Sequence, residues 1–312
     1  RFFRWDRTGI IVSARFNYCD QHGLLLEFFR RYSLMSPAAR GHDPTVRLAT
    51  PEEVAIAQVA LAGEGYKDRI DPKYPTRAME VYDENLELTS TFLVGKPEVM
   101  PSSLIGRATK AYIAVDTSNH KVVFLKDCWR VSTSDMEKEC DTVRQLNDAA
   151  VPNVPQLLCG GDVGGTNAQP TGSYNLIKAP WRCGNRKVTP HTHYRQVVDV
   201  VGKTIHGVTS SRQLVQVILD ALQAHRVAFE QCKILHRDVS AGNILITREG
   251  RGLLNDWDMA KPVDTDVARQ PDRTGTWLFL STRMLQNPNK IHEIQDDMES
   301  FVHVFIYIAL VY

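Results

Sequence analysis

In ILHRDVSAGNILIT, residues 234–247, Asp238 follows His236 and Arg237, Asn243 comes five positions later, and Ile244, Leu245 and Ile246 close the stretch as a buried strand would. A carboxylate placed like Asp238 can accept or orient the proton of an attacking hydroxyl. An amide oxygen a short loop away, from Asn243, can hold a Mg²⁺ ion on nucleotide phosphates. A second carboxylate, Asp256, follows the apolar strand of GLLNDWDMA, eighteen positions after Asp238. That is where a second Mg²⁺ ligand would chelate the ion between phosphates. The chemistry this layout suits is phosphoryl transfer, in which Asp238 would be the base and Asn243 and Asp256 the metal ligands.

Two further segments accompany these, Thr274–Leu280 (TGTWLFL) and Asp297–Phe301 (DMESF). Together with His236–Ile244 (HRDVSAGNI) and Asp256–Asp258 (DWD), in this order and at this spacing, they resemble the eukaryotic protein kinases and more narrowly the fungal-type protein kinase family. The resemblance implies an α+β, two-lobed protein kinase-like fold with a small β-rich lobe, a large helical lobe incomplete at its C-terminus, and an N-terminal extension. The expected boundaries are 1–97 for the extension, 98–202 for the small lobe and hinge, and 203–312 for the large lobe. It also implies ATP and Mg²⁺ as cofactors and the Ser or Thr hydroxyl of a protein substrate as acceptor. Under it Thr276 steadies the catalytic loop, Asp297 holds the backbone of His236–Asp238 from a helix, and Arg237 could receive an activation-segment phosphate.

These residues need a small lobe to bring the nucleotide to them. LIGRATKAYIAVD sets Gly106, Ala108, Ala111 and Ile113 on the frame GxGxxGxV, with alanine for the second and third glycines. Alanine allows a hairpin over phosphates but restricts the approach of backbone N–H groups. VVFLKDCWR then reads as a strand whose Lys126 offsets phosphate charge. The helical period of MEKECDTVRQL offers Glu139 as its partner, with Glu137 as the alternate. By resemblance, Asp199, Val200 and Val201 form the hinge that bonds adenine, and Val198 stands at the gatekeeper position.

A long helix is expected over SSRQLVQVILDALQAHRVAFEQC, with Leu214, Ile218, Leu222, His225 and Phe229 on one stripe and His225 read as packed. After Asp256, KPVDTDVARQPDRTGT suits an activation segment; its Thr265 and Thr274 read as ordinary surface threonines before phosphosites. Three further positions depart from the general protein Ser/Thr kinase pattern. Ser240 replaces the Lys expected two residues after the base, Arg283 replaces the Glu of APE, and Asp258 replaces the Gly of DFG.

Upstream, RFFRWDRTGIIVSARFNY reads as a hairpin turning at Arg7, Thr8 and Gly9, and Gly23–Met35 as a helix. Thr50, Pro51, Glu52 and Glu53 give a helix start before VAIAQVALA. Asp6, Arg7 and Gly9 match a DR-x-G of the fungal family, with no role legible.

With 43% hydrophobic and 23% charged residues the chain is an ordinary globular protein, and a net charge of +1 argues against nucleic acid or an anionic membrane as partner. Six scattered cysteines suggest neither zinc nor a disulfide framework, and Cys183, His191 and His193 match no metal spacing. An intracellular site, cytoplasmic or nuclear, is expected. The start at Arg1 and the apolar FVHVFIYIALVY ending, too short for a span of about twenty residues, read as a piece of a longer chain cut within a buried helix. The oligomeric state is not legible.

Two other functions fit part of the pattern. A small-molecule phosphotransferase of the aminoglycoside or choline kinase kind also lacks the Lys replaced by Ser240, although His236–Asp238 and the TGT segment argue against it. A pseudokinase or interaction domain would explain the alanine-substituted frame.

Overall fold

The computed structural model describes residues 1–101, 103–133, 136–183, 188–263, 275–287 and 289–311. The chain forms two compact units, Arg1–Met136 with Cys159–Val197, and Glu137–Leu158 with Val198–Tyr312. Thr265 and Thr274 lie outside the described residues.

The first unit opens with the hairpin of β1 (Phe3–Trp5) and β2 (Ile10–Val12), in the register Phe3↔Val12 to Trp5↔Ile10. Asp6 closes its turn by accepting from the backbone N–H groups of Thr8 (2.9 Å) and Gly9 (3.3 Å). Helix α1 (His22–Leu34) follows and buries none of its residues. Helix α2 (Pro51–Gly63) starts where its sequence says it should. Thr50 Oγ1 accepts from Glu53 N (3.3 Å), and Glu53 Oε2 accepts from Thr50 N (2.8 Å), a reciprocal cap that contributes about 1 kcal/mol.

The body of this unit is a seven-stranded sheet in the order β3-β4-β5-β6-β7-β9-β8. Its strands are β3 (Val46–Leu48), β4 (Arg77–Asp83), β5 (Leu88–Val94), β6 (Lys110–Asp116), β7 (Val122–Val131), β8 (Leu157–Asp162) and β9 (His191–Val198). Pairing from β3 through β7 is antiparallel. β9 lies between two strands, and every residue of it is buried. Residues of one face, among them Val81, Phe92, Ala114, Leu125 and Val197, form an apolar cluster.

One local expectation changes here. The frame at 104–113 does not fold into a hairpin by itself, because Gly106 (φ +84°) and Ala108 (φ +46°) take the backbone out of extended geometry. β6 pairs instead with β5, and residues 95–109 connect them. The sheet therefore takes β3, β4 and β5 from residues before 97 and β6 to β9 from residues after it.

In the second unit, helix α3 (Glu139–Asp148) begins two residues later than Glu137, since Lys138 is extended (ψ 142°) and supplies no side-chain cap. Glu139 is buried and Glu137 exposed. Helix α4 (Ser211–Cys232) is capped by Ser210, whose Oγ accepts from Gln213 N (3.2 Å). Its buried face carries Leu214, Val217, Ile218, Ala221, Ala224 and His225. Against it lie β12 (Ile244–Ile246) and β13 (Gly252–Leu254), which with β10 (Lys203–Thr204) form one sheet in the order β10-β12-β13. The strands β11 (Ile234–Leu235) and β14 (Lys261–Pro262) pair separately. Helices α5 (Thr282–Gln286) and α6 (Ile294–Val311) complete the unit. Phe301, Val304 and Ile308 of α6 join α4 in one core cluster.

Candidate active site

The loop between β11 and β12 carries Asp238 and Asn243, and the β12–β13 hairpin sets where Asn243 meets the next segment. Ile244 faces Leu254 in the register, and one residue further on Asn255 N donates to Asn243 O (2.8 Å). Asn243 and Asp256 therefore leave the same end of one hairpin. Asp256 takes a left-handed backbone (φ +62°), and so does Arg237 (φ +67°). Neither is a glycine, and such conformations persist only where surrounding structure holds them.

That holding structure is visible on both sides. Asp297, wholly buried on α6, accepts from the backbone N–H groups of His236 (3.1 Å) and Arg237 (3.1 and 3.2 Å). It also accepts from His225 Nε2 and His292 Nε2, each at 2.7 Å. Burial alone would raise the pKa of Asp297, but the hydrogen bonds from His225 and His292 outweigh it and hold the carboxyl below the usual range. Burial lowers the pKa of His236, leaving a neutral ring. Its Nδ1 accepts from Asp238 N (3.3 Å), and its Nε2 donates to Asn255 O (3.0 Å). The ring also meets the fully buried Trp257 edge-on, with centroids 4.7 Å apart. Trp257 Nε1 donates to Leu254 O (3.0 Å), so the tryptophan of DWD is a core residue with a satisfied polar end.

The Asp238 carboxylate is aimed by two neighbours. Oδ1 accepts from Thr276 N (2.7 Å) and Thr276 Oγ1 (3.0 Å), and Oδ2 accepts from Asn243 Nδ2 (3.2 Å). Asn243 Nδ2 also donates to Asp238 O (2.7 Å). With its nitrogen spent on Asp238, Asn243 has its Oδ1 left as acceptor. One amide oxygen and one carboxylate suit Mg²⁺, which is held through few protein oxygens with phosphate and water completing the shell. Ser240 is buried and accepts through its backbone O from Asn243 N (3.1 Å). Arg283 is exposed on α5. Asp199 is tied to Gln156, whose N–H donates to Asp199 Oδ1 (2.9 Å), and Val200 and Val201 follow in non-regular backbone.

In the first unit, Lys126 lies on β7 opposite Ala111 of β6 and is buried; Ile113, on β6, is buried as well. The loop that carries Gly106 and Ala108 is held by the first hairpin. Arg7 Nη1 donates to Ser103 O and Leu104 O, both at 3.1 Å, and Arg7 O accepts from Gly106 N (2.8 Å). Trp129 N donates to Arg107 O (2.7 Å). The DR-x-G turn thus fixes the loop by three hydrogen bonds and is in turn fastened by Thr8 Oγ1 to Thr171 Oγ1 (2.6 Å) and by Asp6 to Ser173 N (2.7 Å).

The model of the family described as fungal protein kinase matches residues 1–309. The chain belongs to the fungal protein kinase family. The match takes in Asp6, Arg7 and Gly9 at one end and Asp297 at the other, so the amino-terminal hairpin belongs to the family's own architecture. Among curated proteins, none matches the chain. No helix among the described residues is long and apolar enough to cross a membrane.

Spacing does not reveal the two histidines on Asp297, since His225, His292 and Asp297 come from three segments. His193 is engaged within the first unit. Its Nε2 bonds Asp127 Oδ1 (2.6 Å), and its ring stacks on Trp129 at 4.8 Å and 3°. Only the DR-x-G match signalled Arg7.

Proposed function

We infer that the chain transfers the γ-phosphoryl group of ATP, with Mg²⁺, to a Ser or Thr hydroxyl of a protein. The observation that carries this reading is the double aim of Asp238, from Thr276 on one oxygen and Asn243 on the other, with the Asn243 oxygen left over for a cation. Asp238 accepts the hydroxyl proton as the oxygen attacks. A carboxylate already oriented by fixed donors needs no rearrangement at that moment. Mg²⁺, when bound, would neutralise phosphate charge, and Asn243 and Asp256 would hold it.

The family resemblance assigns Lys126 to the α and β phosphates, with Glu139 as its partner, and Gly106, Ala108 and Ile113 to the phosphate loop and the strand after it. Asp199 and Val201 receive the adenine edge. By the same resemblance, Arg237 would receive an activation-segment phosphate. The two-lobed arrangement and the boundaries at 97 and 202 belong to the same reading, as does an intracellular location.

The test is phosphate incorporation from ATP into a library of Ser- and Thr-containing peptides. The chain should transfer, and Asp238→Ala should lose at least about 10²-fold while binding ATP within a factor of about two of the wild type. Equal turnover in both proteins would remove Asp238 as base.

A further inference from the structure

On the sheet face away from Lys126 lies a cavity of 1160 Å³, formed wholly within the first unit. β7 contributes Asp127 and Trp129 to its wall, and β9 contributes His193 and Arg195. Successive strand residues alternate faces, so Lys126, between Leu125 and Asp127, points to the other side. The cavity is therefore distinct from the phosphate-binding role proposed for Lys126.

Its carboxylates are already engaged. Asp127 accepts from His193 and from Arg195 Nε (3.0 Å), Asp43 from Arg195, Thr45 and Gln169, and Asp6 from the amides of Thr8, Gly9 and Ser173. Three cations on the same wall are not. The side chains of Lys73, Arg77 and Lys110 make no hydrogen bond or ion pair among the described residues, although Lys73 N donates to Asp71 Oδ1 (2.9 Å). In all, Arg7, Lys73, Arg77, Lys110 and Arg195 face Asp6, Asp43 and Asp127, an excess of positive charge. Between these groups stand large aromatic surfaces. Trp5 is 53% exposed and Tyr74 37%, while Trp129 is backed by the His193 ring. A cavity slightly larger than the common small-ligand range of about 300–1,000 Å³, with unpaired cations and open aromatic faces, fits an anion that carries a ring.

We propose that this cavity is a binding site for an aromatic phosphate, with Arg77 and Lys110 receiving the phosphate and Trp5 and Tyr74 flanking the ring. The ring is that of a phosphorylated tyrosine or of a nucleoside monophosphate. The site stands whether or not the chain transfers phosphate.

The test titrates the full chain with phenyl phosphate, read by calorimetry and by tryptophan fluorescence. Saturable binding is expected, weakened about tenfold in the Arg77→Gln/Lys110→Gln double variant. It should also weaken as salt rises from about 0.05 to 0.5 M. Lys126→Met should bind as the wild type does, which separates this site from the transfer reading. Both substituted cations lack partners, so the double variant should fold. Lys73→Gln gives an independent second variant, expected to bind about threefold more weakly. Parallel titrations with O-phosphotyrosine and with AMP, the latter repeated in Lys126→Met, tell the two sources apart by which binds tighter. Non-saturable binding, equal affinity in the double variant, or phenol binding as well as phenyl phosphate would overturn the proposal. Inorganic phosphate binding as tightly as phenyl phosphate would overturn the aromatic half of it.

Discussion

Asn243 presents its amide nitrogen, not its oxygen, to Asp238, at 3.2 Å from Oδ2 and 2.7 Å from the backbone O. One side chain thereby orients the proposed base and leaves an oxygen for the proposed cation. Asn243→Asp keeps the size and adds a second metal oxygen, but it removes the donor and sets two carboxylates against each other. Turnover on peptide should fall about 10²-fold, and raising Mg²⁺ should recover only part of the loss. Full recovery at high Mg²⁺ would mean that the hydrogen bond to Asp238 is dispensable.

Thr276 holds Asp238 Oδ1 with both its backbone N–H and its hydroxyl. Thr276→Val removes only the hydroxyl at nearly constant volume. One hydrogen bond to a charged group is worth about 1.5 kcal/mol, so kcat should drop about tenfold with KM for ATP little changed. Steady-state kinetics with peptide and ATP varied separately would check this; an unchanged kcat would assign the orientation to the backbone donor alone.

Asp127 is held down to about 2, since Arg195 and His193 outweigh the upward push of burial. A depressed carboxyl stabilises the fold fully above its unfolded value, near 3.8, and loses that contribution as pH falls toward 2. Asp127→Asn should therefore cost on the order of 2 kcal/mol at pH 7. The difference from wild type should shrink between about pH 4 and pH 2. Urea midpoints across that range measure it, and a constant difference would show that packing, not charge, is lost.

Arg7→Gln removes a guanidinium that spans from the first hairpin to the carbonyls of Ser103 and Leu104. Among the described residues, the loop from 103 to 106 would keep the backbone bond from Gly106 N to Arg7 O as its tie to the hairpin. KM for ATP should rise several-fold, about 3- to 10-fold, with a smaller change in kcat. A fall in kcat alone would remove Arg7 from nucleotide positioning.

Gly252 opens β13 against α4 so closely that an added Cβ would sit 2.2 Å from Val217 O. Backbone cannot give way as a side-chain end can, so Gly252→Ala should cost about 3 kcal/mol or more. Thermal unfolding of the two proteins checks this, and near-equal midpoints would mean that α4 can slide.

That Asp238, Asn243 and Asp256 would gather at one hairpin could be read from the chain because they stand at short, fixed spacings, and the cap of α2 because Thr50 and Glu53 act on each other locally. The partner of β6 could not. The frame at 104–113 allowed a hairpin, but Gly106 and Ala108 take left-handed backbone there and Leu88–Val94 pairs with β6. His225 was read as packed, which it is, yet its hydrogen bond to Asp297 joins residues 72 positions apart. The Asp43, Asp127, His193 and Arg195 cluster likewise draws on three distant segments, and no local pattern reports such a meeting.

The strand order that places β9 between β7 and β8 has a consequence for the ribosome. A chain emerging N-terminus first exposes β3 to β7 long before residues 191–198 can fill the interior slot. The hairpin that clamps the loop must wait as well, because Thr8 and Asp6 fasten to Thr171 and Ser173. Closing contacts over such separations is slow and leaves strand edges open meanwhile. The nascent first unit should therefore stay protease-sensitive until about residue 198 has left the exit tunnel, and then become resistant in one step.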